Sequence, residues 1–141
     1  MIETMIIYAM SMLGTPYLYG GNSRLKGLDC SGFVNECLRS VGIIENKDYS
    51  AQMLYSELST KDGYRSVLKR GSLLFFGPSR HKITHVGLAL NSDLMIESGG
   101  GDRNTTKFFD AVNRNAMVRI RPIRKDLVAC IYPELTKNGN I

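Results

Sequence analysis

The 141-residue sequence is poor in cysteine and histidine and has no long apolar run. Its three cysteines, Cys30, Cys37 and Cys130, are an odd and sparse set, which excludes a disulfide framework. No pair of them has the spacing of a zinc finger. No stretch is apolar enough for long enough to span a membrane. Residues 1–13 are apolar but carry Glu3 and no Lys or Arg, so they do not resemble a secretory signal.

The composition fits one globular domain. Hydrophobic residues make up 43% of the chain and charged residues 22%, which are ordinary values for globular proteins. A chain of this length can bury a substantial core. Because the sequence shows neither an internal repeat nor a linker, we predict a single domain over residues 1–141.

Basic residues are concentrated in the second part of the chain. Residues 1–60 contain 4 Lys and Arg and 6 Asp and Glu, whereas residues 61–141 contain 14 and 7, so the net charges are −2 and +7. Such a surface favours an anionic partner, although an ordinary solvated surface is an equal alternative. The basic residues are scattered and not interleaved with aromatic residues, so a nucleic-acid partner is not expected.

Helical periodicity dominates the first part of the chain. Helices are predicted over residues 2–13, 30–41 and 49–58. The apolar stripe of the first helix consists of Ile2, Met5, Ile6, Met10 and Leu13. Gly14 and Gly42 would end the first two helices, Asp29 or Cys30 would cap the second, and Ser50 would cap the third.

Strand patterns dominate the second part. Strands are predicted over residues 73–76, 84–90, 94–98, 116–121 and 127–132. A turn at residues 91–93 would join the second and third of these strands into a hairpin. Three consecutive glycines open residues 99–115, which we predict to be an exposed loop. Helices followed by an antiparallel meander indicate an α+β fold.

Cys30 lies at the predicted start of the second helix, within the segment DCSGFV at residues 29–34. The positive end of the helix dipole and the unpaired N–H groups at this point favour the thiolate, which is the reactive form of cysteine. The same N–H groups would stabilise an oxyanion during acyl transfer. Since most free cysteines are small buried hydrophobes, position alone is weak support. We expect that ordinary buried role for Cys37 and Cys130.

His85 and Glu97 are the candidate partners of this thiol. On a strand, His85 shares a face with Gly87 and Ala89, which are small enough to leave room for an approaching group. Glu97 lies in the partner strand, within reach by cross-strand pairing. A carboxylate there would fix the imidazole tautomer and support the imidazolium. The alternatives are a half-buried structural histidine and an exposed strand-end glutamate; His81 lies in a polar loop and is expected to be solvated.

Together these residues resemble the NlpC family of papain-like cysteine peptidases, which cleave bacterial cell-wall peptides. The matching motifs are GTPY at residues 14–17, YGG at 19–21, DCSGFV at 29–34, GSLLFF at 71–76 and HVG at 85–87. The resemblance implies a papain-like fold with the nucleophile at a helix start, packed on an antiparallel sheet. It implies that Cys30 is the nucleophile, that His85 is the base and that Tyr17 lines the site. We also predict substrate contacts for Asp29 and Ser31.

One position departs from the family pattern. The third polar residue of the family is usually histidine, sometimes asparagine or glutamine, and here it is Glu97. A carboxylate can perform the same orienting role, as other catalytic triads show. The resemblance further implies hydrolysis of stem-peptide amide bonds next to D-glutamate, without a cofactor and with peptidoglycan as the substrate. Anionic wall polymers are a further expected partner, because the second part of the chain is basic.

Other functions are compatible with the same residues. Relatives of the fold act as amidases or acyltransferases, and a non-catalytic wall-binding module is a further alternative. Cys30, His85 and Glu97 are also a ligand set that suits zinc. The expected place of action is the bacterial cell wall; without a visible export signal, we expect a phage component, a delivered effector or a domain of a longer protein.

Overall fold

The computed structural model describes residues 1–134, which form four helices and seven strands. The helices are α1 (Ile2–Ser11), α2 (Cys30–Ser40), α3 (Ala51–Leu58) and α4 (Phe108–Arg114). The strands are β1 (Asn22–Ser23), β2 (Gly27–Leu28), β3 (Leu73–Phe76), β4 (His85–Ala89), β5 (Leu94–Gly99), β6 (Met117–Pro122) and β7 (Leu127–Ile131). Over this range, none of the helices combines the length and the apolar character needed to cross a bilayer.

The last five strands form one antiparallel sheet in the order β6-β5-β4-β3-β7. β1 and β2 pair separately, next to the start of α2. The three central strands β3, β4 and β5 are buried over nearly their whole length, and β6 and β7 are the two edges. Helices that precede an antiparallel sheet confirm the predicted α+β class.

The main core lies between the helices and one face of the sheet. α2 packs against β4 and β5, and α1 packs on α2. The side chains that α2 and its C-cap turn to the core are buried: Phe33, Val34, Cys37, Leu38 and Val41. The opposite face of the sheet carries a smaller apolar cluster of Leu74, Phe76, Ala89 and Met95. Burial on both faces explains why β3 is an unbroken apolar run.

Two sequence predictions about the helices are wrong. In α1, Met10 and Leu13 are exposed, because the buried face of the helix runs through Met5, Ile6 and Ala9 and continues to Met12. Residues 99–115 are not simply an exposed loop, since they include α4. A short helix that buries only Ala111 has no apolar stripe to reveal it in the sequence.

The predicted role of Cys37 is confirmed, whereas that of Cys130 is only half right. Cys37 is fully buried in the main core. Cys130 lies on the edge strand β7 and is partly exposed, because an edge strand is covered on only one side.

Truncation of a core side chain of α2, the helix that carries Cys30, should destabilise the fold. Phe33 is fully buried, so Phe33→Ala should lower the free energy of unfolding by about 3–5 kcal/mol. Phe109→Ala is the matched control: its side chain is 74% exposed, and we expect a change within about 0.5 kcal/mol. Urea denaturation followed by circular dichroism measures both. Equal losses would contradict this account of the core.

Candidate active site

The start of α2 holds Cys30 beside the glycine-rich loop that precedes it. Asp29 is the N-cap: its Oδ1 accepts a hydrogen bond from the backbone N–H of Gly32 at 2.7 Å. Its Oδ2 accepts one from the N–H of Gly20 at 3.1 Å. One carboxylate therefore fixes both the helix start and the loop, as expected of an N-cap. Cys30, the first residue of the helix, is partly exposed.

The predicted substrate residues Asp29 and Ser31 line a small polar pocket next to Cys30. The pocket has a volume of about 80 Å³ and also includes Asn35 and Asp48. Ser31 Oγ donates to Oδ1 of Asp29 at 3.3 Å. Burial raises the pKa of Asp29, although the N–H of Gly32 opposes this. Since the carboxylate of Asp29 is already bonded within the protein, its contact with substrate stays a prediction.

Tyr17 lies near Cys30. Its side chain is buried and packs against Ala111 and Ala116. Burial raises its pKa above the usual value, and the nearby Cys30 and Asp29 raise it further. The ring also lies against Gly101, where a Cβ atom would collide with it. Sequence reasoning missed these contacts, because Ala111, Ala116 and Gly101 lie in or next to the segment predicted to be a loop.

His85 and Glu97 make the contact that the hairpin predicted. Nε2 of His85 lies 2.6 Å from Oε1 of Glu97. Both residues are buried, with exposed fractions of 8% for His85 and 1% for Glu97. The alternative of an exposed glutamate is therefore wrong. Because Nε2 is engaged, Nδ1 is the ring nitrogen left for Cys30.

The contact is diagonal, which sequence reasoning did not foresee. In β4 and β5, Leu88 pairs with Ile96 and Ala89 with Met95. Continued by one residue, this register puts Glu97 opposite Gly87, and a Cβ atom on Gly87 would lie 3.4 Å from Cβ of Glu97.

The carboxylate of Glu97 then crosses over Gly99 to reach His85. A Cβ atom at Gly99 would collide with that carboxylate. Gly99 therefore serves a close approach, a role that glycine alone can fill.

Neighbouring charged groups shift the pKa values of both His85 and Glu97. Burial by itself would lower the pKa of His85, but the Cys30 thiolate and the Glu97 carboxylate outweigh burial and raise the pKa to about 9. Burial would raise the pKa of Glu97, but His85 and Arg119 together hold it below its usual value. The arrangement therefore favours the imidazolium form of His85, held against the Glu97 carboxylate.

Ser98 joins the two parts of the site. Its side chain is fully buried, and its Oγ donates to the backbone oxygen of Leu28 at 2.6 Å. Leu28 is two residues before Cys30, and Ser98 directly follows Glu97. Ser98 therefore connects the Cys30 segment to the Glu97 strand. The sequence does not reveal this contact, because the partner of Ser98 is a backbone oxygen 70 residues away.

The zinc alternative gains no support from this geometry. Over residues 1–134, no group of three or more His, Cys, Asp or Glu side chains is placed to hold a metal ion. The guanidinium of Arg119 also lies 3.1 Å from Oε2 of Glu97, and a fixed positive charge at that distance opposes a cation.

Removal of the Glu97 charge should lower the pKa of His85. We expect the imidazole signals of His85, followed by proton NMR, to titrate near pH 9 in the wild type and at clearly lower pH in Glu97→Gln. Glu3→Gln, a surface change at a carboxylate bonded to Arg70, is the matched control and should leave the midpoint unchanged. An unshifted midpoint in Glu97→Gln would contradict the coupling.

The same titration affects stability. Since the pKa of His85 is about 9 when folded and 6.5 ordinarily, the stabilising contribution of His85 is complete below about pH 6.5. It is lost as the pH rises through about 9.

Gly99→Ala should displace the carboxylate without removing it. The added methyl group would push Oε2 of Glu97 away, so the titration midpoint of His85 should fall in the same direction as in Glu97→Gln. The double variant is the control: once Glu97 is glutamine, the additional Gly99→Ala change should add little, because both act through one carboxylate. Additive shifts in the double variant would refute this explanation.

Comparisons with known proteins identify the family. The family model of the NlpC/P60 family matches residues 14–122. The bifunctional muramidase/DL-endopeptidase CwlT of Bacillus subtilis is 33% identical over 98 residues, which cover 68% of this chain and 29% of CwlT. The chain spans less than half the length of the first curated relatives that it matches.

Solved structures share the fold. The peptidoglycan hydrolase RipB of Mycobacterium tuberculosis aligns with a TM-score of 0.68 and 26% identity, over 94% of this chain and 63% of that one. RipD of the same organism, described as a non-catalytic NlpC/p60 domain protein adapted to peptidoglycan binding, aligns with a TM-score of 0.65 and 19% identity, over 95% and 97%. The predicted papain-like fold is therefore confirmed. The chain belongs to the NlpC/P60 family.

Proposed function

We propose that this chain is a cysteine hydrolase that cleaves amide bonds in peptidoglycan stem peptides, next to D-glutamate. In this proposal Cys30 is the nucleophile, His85 the general base and acid, and Glu97 the residue that orients His85. The observation that carries it is the 2.6 Å contact between His85 and a buried Glu97, beside a cysteine at a helix N-terminus. The name of a further relative, the gamma-D-glutamyl-L-lysine dipeptidyl-peptidase of Bacillus cereus, supports the choice of bond.

The reaction begins from the thiolate and the imidazolium. The Cys30 sulfur attacks the amide carbon, and the carbonyl oxygen becomes an oxyanion that N–H groups at the start of α2 stabilise. His85 gives its Nδ1 proton to the leaving amine as the C–N bond breaks. A thioester to Cys30 remains. Water, deprotonated by His85, then hydrolyses the thioester and releases the carboxylic acid.

Glu97 supports these steps through the other ring nitrogen. The Nε2–H group of the imidazolium donates a hydrogen bond to Oε1 of Glu97. This bond fixes the ring with Nδ1 toward Cys30. Since the pKa of His85 is raised to about 9, the ring is protonated at neutral pH and can act as the acid for the leaving amine. A neutral ring would have to acquire that proton first.

The second candidate is a peptidoglycan-binding module without catalysis. It is favoured by the likeness to RipD, whose description is non-catalytic. Against it, this chain keeps a cysteine, a histidine and a carboxylate together, and the last two are in direct contact. The basic surface, with a net charge of +5, suits anionic wall polymers under both candidates.

Mass spectrometry of purified muropeptides incubated with the protein tests the proposal. The wild type should release new fragments whose masses identify a cut beside D-glutamate, and Cys30→Ala should release none. Cys130→Ala is the matched control: Cys130 lies on the distant edge strand β7, so this variant should cleave like the wild type. Cleavage by Cys30→Ala would exclude Cys30 as the nucleophile.

A negative result is also informative. If the wild type binds peptidoglycan without cleaving it, the binding module is the better description. If the thiol of Cys30 nevertheless reacts rapidly with alkylating reagents, the search moves to other amides or to acyl transfer.

A further inference from the structure

The Glu97 carboxylate has charged partners on both of its oxygens. Oε1 faces His85 on β4, at 2.6 Å. Oε2 faces two arginines on β6: Nε of Arg119 lies at 3.1 Å and Nη1 of Arg121 at 3.7 Å. These three are the charged side chains that residues 1–134 place against the carboxylate, and Cys30 at the start of α2 follows beyond His85. A buried carboxylate loses its hydration, so such partners are what allow it to stay ionised.

Arg119 is the better placed of the two arginines. It pairs directly with Glu97 across β5 and β6, whereas Arg121 pairs with Met95. Its Nε–H donates a hydrogen bond to Oε2. Its guanidinium also packs on the backbone of Gly100, where a Cβ atom would lie only 3.0 Å from Nη1. Arg119 is therefore held from two sides, and its direction toward the carboxylate is set by the sheet.

We propose that Arg119 is a positioning residue of this site: its guanidinium keeps the Glu97 carboxylate charged and turned toward His85. The ion pair and hydrogen bond that Arg119 makes are with Glu97, so we expect it to act through Glu97 and His85. The inference rests on the roles proposed above for Cys30, His85 and Glu97.

The physical reason is that the two carboxylate oxygens of Glu97 have different partners: Oε1 contacts His85 and Oε2 contacts Arg119. If Arg119 is removed, Oε2 loses its hydrogen bond and keeps only the more distant Arg121, at 3.7 Å. A buried anionic oxygen without a hydrogen bond is costly. The carboxylate then either takes up a proton or turns away from His85. In both cases the imidazolium loses its counter-ion, and with it the Cys30 thiolate loses support at mildly acidic pH.

Two measurements that need no substrate test the proposal. Carbon NMR follows the titration of the Glu97 carboxyl group, and the alkylation rate of Cys30 by iodoacetamide is followed against pH by mass spectrometry of the Cys30 peptide. In Arg119→Met the carboxyl midpoint should move to higher pH. The acid limb of the alkylation profile should move the same way, with a rate at pH 6 lower by on the order of tenfold.

Conservative and control variants sharpen the test. Arg119→Lys keeps the charge and should recover most of both properties. Arg70→Met removes a surface arginine that is bonded to Glu3 at 2.7 Å, and should leave both profiles as in the wild type. If Arg119→Met does not fold by circular dichroism, Arg119→Gln, which is polar but uncharged, replaces it.

Two outcomes would overturn the inference. The first is that the Glu97 carboxyl group of Arg119→Met or Arg119→Gln titrates at the same pH as in the wild type. The second is a loss of alkylation rate that is uniform across pH and not rescued by lysine, which would indicate packing alone. Because neither readout uses peptidoglycan, failure of the muropeptide assay would refute the proposed substrate and leave this inference standing.

Discussion

An ionised carboxylate that is 1% exposed, that of Glu97, is the feature on which the site depends. Burial removes its hydration, and only well-placed donors can replace that loss. The donors come from both neighbouring strands: His85 from β4 and Arg119 from β6. The sheet register is therefore not only a matter of stability, since a slip of one residue on either side would turn a donor to the opposite face.

The thiol is placed by a second, separate set of bonds. Asp29 caps α2 and ties down the loop at Gly20. These bonds are local, so they define where Cys30 lies relative to its own helix but not relative to His85. The hydrogen bond from Ser98 to Leu28 helps to place Cys30 relative to the sheet, because it connects β5 to the residue before the N-cap Asp29. Packing of α2 on β4 and β5 supports the same relation over a larger area.

Local features of the site could be predicted from the sequence, and long-range ones could not. The cap at Asp29 and the contact of His85 with Glu97 depend on spacings of a few residues or one hairpin, which the sequence displays directly. Arg119 lies in the strand that the sequence predicts over residues 116–121, but nothing in the sequence marks it as a site residue. Its pairing with Glu97 depends on the register of β5 and β6, which are separated by α4, a helix that the sequence pattern did not reveal. Gly99 was read as part of a glycine run that opens a loop, because nothing in the sequence shows which side chain passes over it.

The carboxylate at position 97 also explains why the arginines of β6 belong to the site. A neutral side chain there could orient His85 by a single hydrogen bond and would need no counter-ion. A carboxylate introduces a charge where water cannot reach, so it needs opposite charges held close to it, as His85 and Arg119 are here. Glu97 and Arg119 are therefore better regarded as one unit than as two residues. In the proposed site, the third residue therefore contacts an edge strand, because Arg119 and Arg121 lie on β6.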